Sequence, residues 1–147
     1  MTMSREYPDR PHVGVGVVIC RDGMVLLIRR GKPPRVGQWS LPGGGQMLGE
    51  TVEAAARREV LEETGLSLAR AELLTVVDLI DRDEAGDVRY HYTLVDLVAE
   101  ALPGDAAPGD DAAATAWFRP EELPALGLWS ETLRIIRLGL AQLGQEA

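Results

Sequence analysis

Apolar residues follow two different spacings along the chain. Val13 to Ile19 alternates valine with glycine and then runs apolar, which predicts a strand whose glycines let another backbone come close. Arg21-Asp22-Gly23 reads as a turn and Met24 to Arg29 as a second strand, so the two form a hairpin. Gly31 to Gly37, with two prolines and two basic residues, reads as a loop, and Gln38 to Leu41 as a short apolar-alternating segment. Pro42-Gly43-Gly44-Gly45 is expected to lie outside regular structure, at a bend where something approaches the backbone. Glu72 to Ile80 and Val88 to Ala99 read as strands around Asp83-Glu84-Ala85-Gly86-Asp87, and Thr115 to Arg119 as a short strand. Leu102 to Ala114, rich in Ala, Gly, Pro and Asp, reads as a long loop.

Two segments change to a helical period. Thr51 to Thr64 has no Gly or Pro and is rich in Ala, Glu and Arg. Thr51 suits the N-cap, Glu53 the electropositive first turn, and Gly65 the position just past the end. Ser130 to Leu143 places Leu133, Ile136, Leu140 and Leu143 on one face, with Ser130 as the expected cap. Strands mixed with two helices, in no strict βαβ alternation, predict an α/β fold with a mixed sheet flanked by helices.

Composition narrows the function. The 147 residues read as one domain, 1–147, long enough to bury a core without disulfides or zinc. The formal charge of −8 argues against a general nucleic-acid coat or an anionic-membrane binder. An anionic substrate remains compatible, because a divalent metal inverts the local field. Cys20 is the only cysteine, which excludes an intrachain disulfide and a cysteine-ligated zinc or iron–sulfur cluster. The longest apolar run, Val13 to Cys20, is far short of the roughly 18 residues a membrane-spanning helix needs. With no signal-peptide pattern at the N-terminus, the expected compartment is the cytoplasm.

The candidate chemistry lies on the first helix. At about 100° per residue, Glu63 falls about 40° to one side of Glu59 and Glu62 about 60° to the other. Three carboxylates sharing one side of a helix repel one another unless something offsets them. Arg58, four residues from Glu62, can pair with it. The rest of the charge suits a hard cation, Mg²⁺ or Mn²⁺, since no thiol or imidazole stands nearby. A solvated acidic face with Arg–Glu pairs explains the same charges.

The wider spacing separates these readings. From Gly44 the chain runs Gly, five residues, Glu50, seven residues, Arg58-Glu59-Val60, one residue, Glu62-Glu63, one residue, Gly65-Leu66. This resembles the signature of the Nudix hydrolases, G-x5-E-x7-R-E-U-x-E-E-x-G-U with U a bulky aliphatic. At average residue usage, its seven fixed Gly, Glu and Arg positions coincide by chance on the order of once in 10⁸ starts. The flanks Arg29 to Pro34, Gly37 to Gly44, and Trp117-Phe118 before Glu122-Leu123-Pro124 are less specific. They resemble the small bacterial members that act as ADP-ribose pyrophosphatases.

The resemblance implies a Nudix-type α/β/α sandwich around a mixed sheet, with residues 44–66 as the box. It implies Glu59, Glu62 and Glu63 as metal-binding glutamates, Gly43 offering its backbone carbonyl to the metal, and Glu50 assisting by way of water. Arg58 matches the arginine that holds the glutamates by ion pairing; Val60 and Leu66 match packing positions. Many members add a carboxylate from the loop before the late Trp. Here Ala116 stands directly before Trp117, which leaves Asp110 or Asp111 as the loop candidate for general base and Glu59 as the alternative. Arg29, Arg30, Lys32 and Arg35 are candidates for contact with substrate phosphate, and Arg29, Arg30 and Arg35 are carried forward. Tyr90-His91-Tyr92, Trp39, Trp117 and Trp129 read as core or rim residues, and Cys20 as a buried small hydrophobe.

The expected activity is Mg²⁺-dependent cleavage of a diphosphate linkage in a nucleoside diphosphate derivative, ADP-ribose first, giving AMP and ribose 5-phosphate. The alternatives are pyrophosphohydrolysis of nucleoside triphosphates, oxidised ones included, and a non-catalytic nucleotide-sensing module. The partner implied is a small-molecule nucleotide, with neither nucleic acid nor membrane; the family also makes a homodimer an option.

Overall fold

A computed structural model describes residues 5–32, 35–109 and 112–144. Ten elements follow in order: β1 (His12–Arg21), β2 (Met24–Arg30), β3 (Trp39–Ser40), β4 (Gly43–Gly45), α1 (Val52–Thr64), β5 (Leu68–Arg82), β6 (Val88–Ala101), β7 (Ala112–Phe118), a 3-10 helix (Pro120–Leu126) and α2 (Ser130–Gln142). The main sheet runs β3-β2-β1-β6-β5, with β4 paired to β1 and β7 to β2. β1 and β6 are parallel. The other pairings are antiparallel, so the sheet is mixed as expected.

β1 is buried on both faces, and its alternation sorts the core into two layers. Val15, Val17 and Ile19 pack with Ala55, Ala56 and Val60 of α1. Val18 and Cys20 pack with Ile135, Ile136 and Leu140 of α2. The two helices therefore cover opposite faces of one sheet. Burial pushes the Cys20 thiol up to about 12, which leaves it an inert core group. The hairpin between β1 and β2 turns through Asp22 and Gly23, both at positive φ, the geometry of a two-residue loop.

Local chemistry fixes α1 at both ends. The Thr51 hydroxyl accepts the Ala54 N–H at 3.0 Å, and Gly65 at φ 74° donates its N–H to the Leu61 carbonyl. The loop after β6 returns to this C-terminus: Ala107 N–H bonds the Thr64 carbonyl and Gly109 N–H the Glu63 carbonyl.

Three sequence expectations are corrected. Pro42 to Gly45 is not wholly irregular, because Gly43–Gly45 forms β4 against Gly14–Gly16 of β1. Glycine is what permits the pairing: a Cβ on Gly43 would lie 1.9 Å from the Val15 carbonyl oxygen. Ser130 does not cap α2; it is the first helical residue, preceded by Trp129 with no side-chain cap bond. The long loop ends earlier than Ala114, since β7 begins at Ala112, and the 3-10 helix was not foreseen.

Candidate active site

One guanidinium organises the carboxylates of the box. Arg58 grips both oxygens of Glu50, through Nε at 2.7 Å and Nη2 at 3.0 Å. Its Nη1 donates to Glu59 at 2.7 Å and to Glu62 at 3.2 Å, and Nη2 also reaches the Gly45 carbonyl at 2.9 Å. Arg58 thus ties three glutamates to β4, Glu62 being only one of them. The Glu50 bond contributes most to raising the Arg58 pKa above its ordinary value. Glu50 is held below the usual carboxylate range by Arg58 first and then by the Met47 N–H at 2.8 Å.

Glu63 points the other way. It is 8% exposed, and its Oε1 accepts the Gly43 N–H at 2.7 Å. Glu59 lies against Gly44, where a Cβ would come within 2.4 Å of its carboxylate. The glycine run therefore lets two acidic side chains of α1 close on a bare backbone, with Gly43 and Gly44 as the surface they meet.

The donor set is all oxygen, as a hard divalent cation requires. Its present arrangement is organised by Arg58 and by β4 instead. Among the described residues, no three carboxylate, imidazole or thiol groups converge as ready metal ligands. Glu50 has both oxygens engaged by Arg58, so its geometry is that of a positioning residue for the arginine. Glu59, Glu62 and Glu63 would have to turn from their current partners to share an ion.

A cleft of about 380 Å³ opens on the far side of β4. Gly43, Gly44 and Gly45 form part of its wall, and Trp39, Leu94, Trp129 and Ile135 supply apolar surface. Arg30 and Arg35, two of the candidates for phosphate contact, line it. Arg29 does not; it is exposed and lies 5.8 Å from the Trp39 ring centroid. Tyr90 and Tyr92 reach the cleft, whereas Trp117 packs against the α1-side core under the Arg21 guanidinium. Asp110 and Asp111 lie outside the described residues. Sequence reasoning passed over Asp96, a buried acid that also lines the cleft. The signal for it was one acid inside the apolar run Leu94-Val95-Asp96-Leu97-Val98.

The NUDIX domain family matches residues 10–138, nearly the whole chain. The chain belongs to the Nudix family. As a Nudix hydrolase it is 37% identical over 123 residues to an ADP-ribose pyrophosphatase of Methanocaldococcus jannaschii, covering 84% of this chain and 70% of that protein. It is 35% identical to a nucleoside triphosphatase of Salmonella arizonae, covering 82% and 91%. Among solved structures, a MutT Nudix hydrolase from Burkholderia pseudomallei superposes with a TM-score of 0.77 at 38% identity, covering 88% of this chain and 98% of that one. The box, the sheet and the flanking helices accordingly form a Nudix pyrophosphohydrolase, an enzyme class that generally uses a divalent metal.

Proposed function

We propose that this Nudix hydrolase cleaves ADP-ribose to AMP and ribose 5-phosphate with Mg²⁺, Mn²⁺ serving as a substitute. The observation that carries the reading is the placement of a half-apolar cleft with two arginines against the same glycine strand that meets Glu59 and Glu63. A nucleoside fits the aromatic walls, Arg30 and Arg35 suit phosphate oxygens, and the diphosphate reaches the carboxylates across β4. The likeness to the archaeal ADP-ribose pyrophosphatase supports the same choice.

In this reading Glu59, Glu62 and Glu63 hold the metal. When bound, it neutralises the diphosphate and acidifies water. Arg58 orients Glu59 and Glu62 by ion pairing. A water oxygen forms the new P–O bond, the bridging P–O bond breaks, and the leaving phosphate departs with the nucleoside or the sugar. For the proton we propose Asp111, or Asp110 beside it, with Glu59 as the alternative. Gly109, the last described residue before them, donates its N–H to the Glu63 carbonyl near the end of α1.

A second reading, pyrophosphate release from nucleoside triphosphates, is favoured by the likeness to the Salmonella enzyme. A panel of ADP-ribose, other nucleoside diphosphate derivatives and triphosphates, assayed with Mg²⁺ and Mn²⁺, decides between them. AMP with ribose 5-phosphate as products supports the first reading; pyrophosphate from triphosphates with no turnover of ADP-ribose overturns it.

A further inference from the structure

The floor of the cleft carries a polar group that none of the described residues satisfies. In the parallel pairing of β1 with β6, Gly14 lies beside Leu94 and Gly16 beside Asp96. All four line the cleft. Asp96 is 4% exposed, and its Oδ2 has no hydrogen-bond partner among the described residues. Its Oδ1 stands 2.6 Å from where a Cβ on Gly16 would be, so this carboxyl fits only because residue 16 has no side chain.

The neighbours do not explain its presence. The charged residue that acts on it, Arg134 of α2, is bonded to Glu131 at 2.6 and 2.8 Å. Burial raises the Asp96 pKa to about 6, with Arg134 acting in the opposite direction. A buried acceptor left unpaired costs stability, and proteins rarely retain one without a use for it. The space beside it is walled by Trp39, Leu94, Trp129 and Ile135, surfaces suited to a flat heterocycle.

We infer that Asp96 is a specificity-determining residue, which accepts a hydrogen bond from the exocyclic amine of a nucleobase seated between the aromatic walls. With the ADP-ribose reading, on which this choice of base rests, the group recognised is the adenine 6-amine. A buried, unpaired carboxylate oxygen suits an amine donor, and the carboxylate acceptor makes the bond charge-assisted. A site built to pair one polar group rejects the analogue that lacks it much more strongly than an apolar slot does.

The test compares binding of AMP with IMP, which differ by amine against oxo, by calorimetry at pH 8. Wild-type protein should prefer AMP by about tenfold to a hundredfold. D96L should bind the two alike, while D96N, which keeps a carbonyl acceptor, should restore part of the preference. In hydrolysis assays D96L should raise KM for the adenine substrate with kcat within a few-fold, since the metal-side glutamates are untouched. Thermal melts confirm that each variant is folded. No AMP preference in the wild type, or an unchanged preference in D96L, overturns the inference. If the AMP preference holds but ADP-ribose is not hydrolysed, the proposed reaction fails and the base-reading role of Asp96 stands.

Discussion

Gly44 and Glu59 occupy one space between them: a methyl on Gly44 would lie 2.4 Å from the Cδ and Oε2 atoms of Glu59. The carboxylate can rest against β4 only because that strand is bare. Gly44→Ala should therefore displace Glu59, lowering turnover by about a hundredfold or more and destabilising the fold by about 1–3 kcal/mol as other overpacking changes do. Steady-state kinetics and a denaturant melt check this; turnover near wild type would show that Glu59 need not sit where it does.

Glu59→Gln and Glu63→Gln should each lower turnover by orders of magnitude, as loss of a metal-ligating charge predicts. Glu63→Gln keeps an acceptor for the Gly43 N–H, so its metal-free stability should change little. Mg²⁺ should raise the melting temperature of the wild type, by about 2.7 kcal/mol of stabilisation at a hundredfold excess over Kd, and should do so much less in either variant. Equal Mg²⁺ shifts in all three proteins would remove these glutamates from the metal site.

Arg58→Lys preserves the charge and loses the fork. One ammonium cannot span Glu50, Glu59, Glu62 and the Gly45 carbonyl together. The variant should melt at lower temperature and lose activity. Glu62→Gln is the contrast. Its carboxylate is 39% exposed and holds Arg58 by the longest of these bonds, so metal-free stability should move by only a few tenths of a kcal/mol. Paired thermal melts in chelator measure both; a loss in Glu62→Gln as large as in Arg58→Lys would contradict this ranking.

Asp96 gives stability a pH dependence with a definite sign. Its pKa is raised from 3.8 to about 6, so the folded state binds more protons than the unfolded state between those values. The Asp96 contribution therefore falls as pH rises through that window, by on the order of 3 kcal/mol at full ionisation. Asp96→Asn should stabilise the protein above pH ~6 and have little effect below ~4. Urea melts at pH 4, 6 and 8 follow it; a gain of equal size at all three values would mean that the carboxyl charge is not its source.

Spacing made the box legible. Thr51, Gly65 and the arc of Glu59, Glu62 and Glu63 depend on the period of one helix, and a helix shows its faces in the sequence. The mixed sheet was readable because strands and two helices follow one another in no strict βαβ alternation. What escaped depended on contacts between distant segments. β4 is three glycines in a row, whose propensity points away from a strand, yet its backbone pairs with β1. The bond from Arg58 to Gly45 spans 13 residues and has no sequence pattern. Asp96 was visible only as a misfit in an apolar strand, and its meaning required knowing that Gly16 lies beside it.

The bareness of β4 also bears on how the enzyme lets go. The wall between the arginine-lined cleft and the glutamates is one backbone thick, so a substrate that straddles it is gripped in two compartments at once. Cleaving the linkage severs that double hold. Each fragment keeps only its own compartment, and the advantage of two tethered attachments is lost to both. On the ADP-ribose reading, turnover and release would in this way be coupled by geometry: breaking the bond would weaken the grip on what remains.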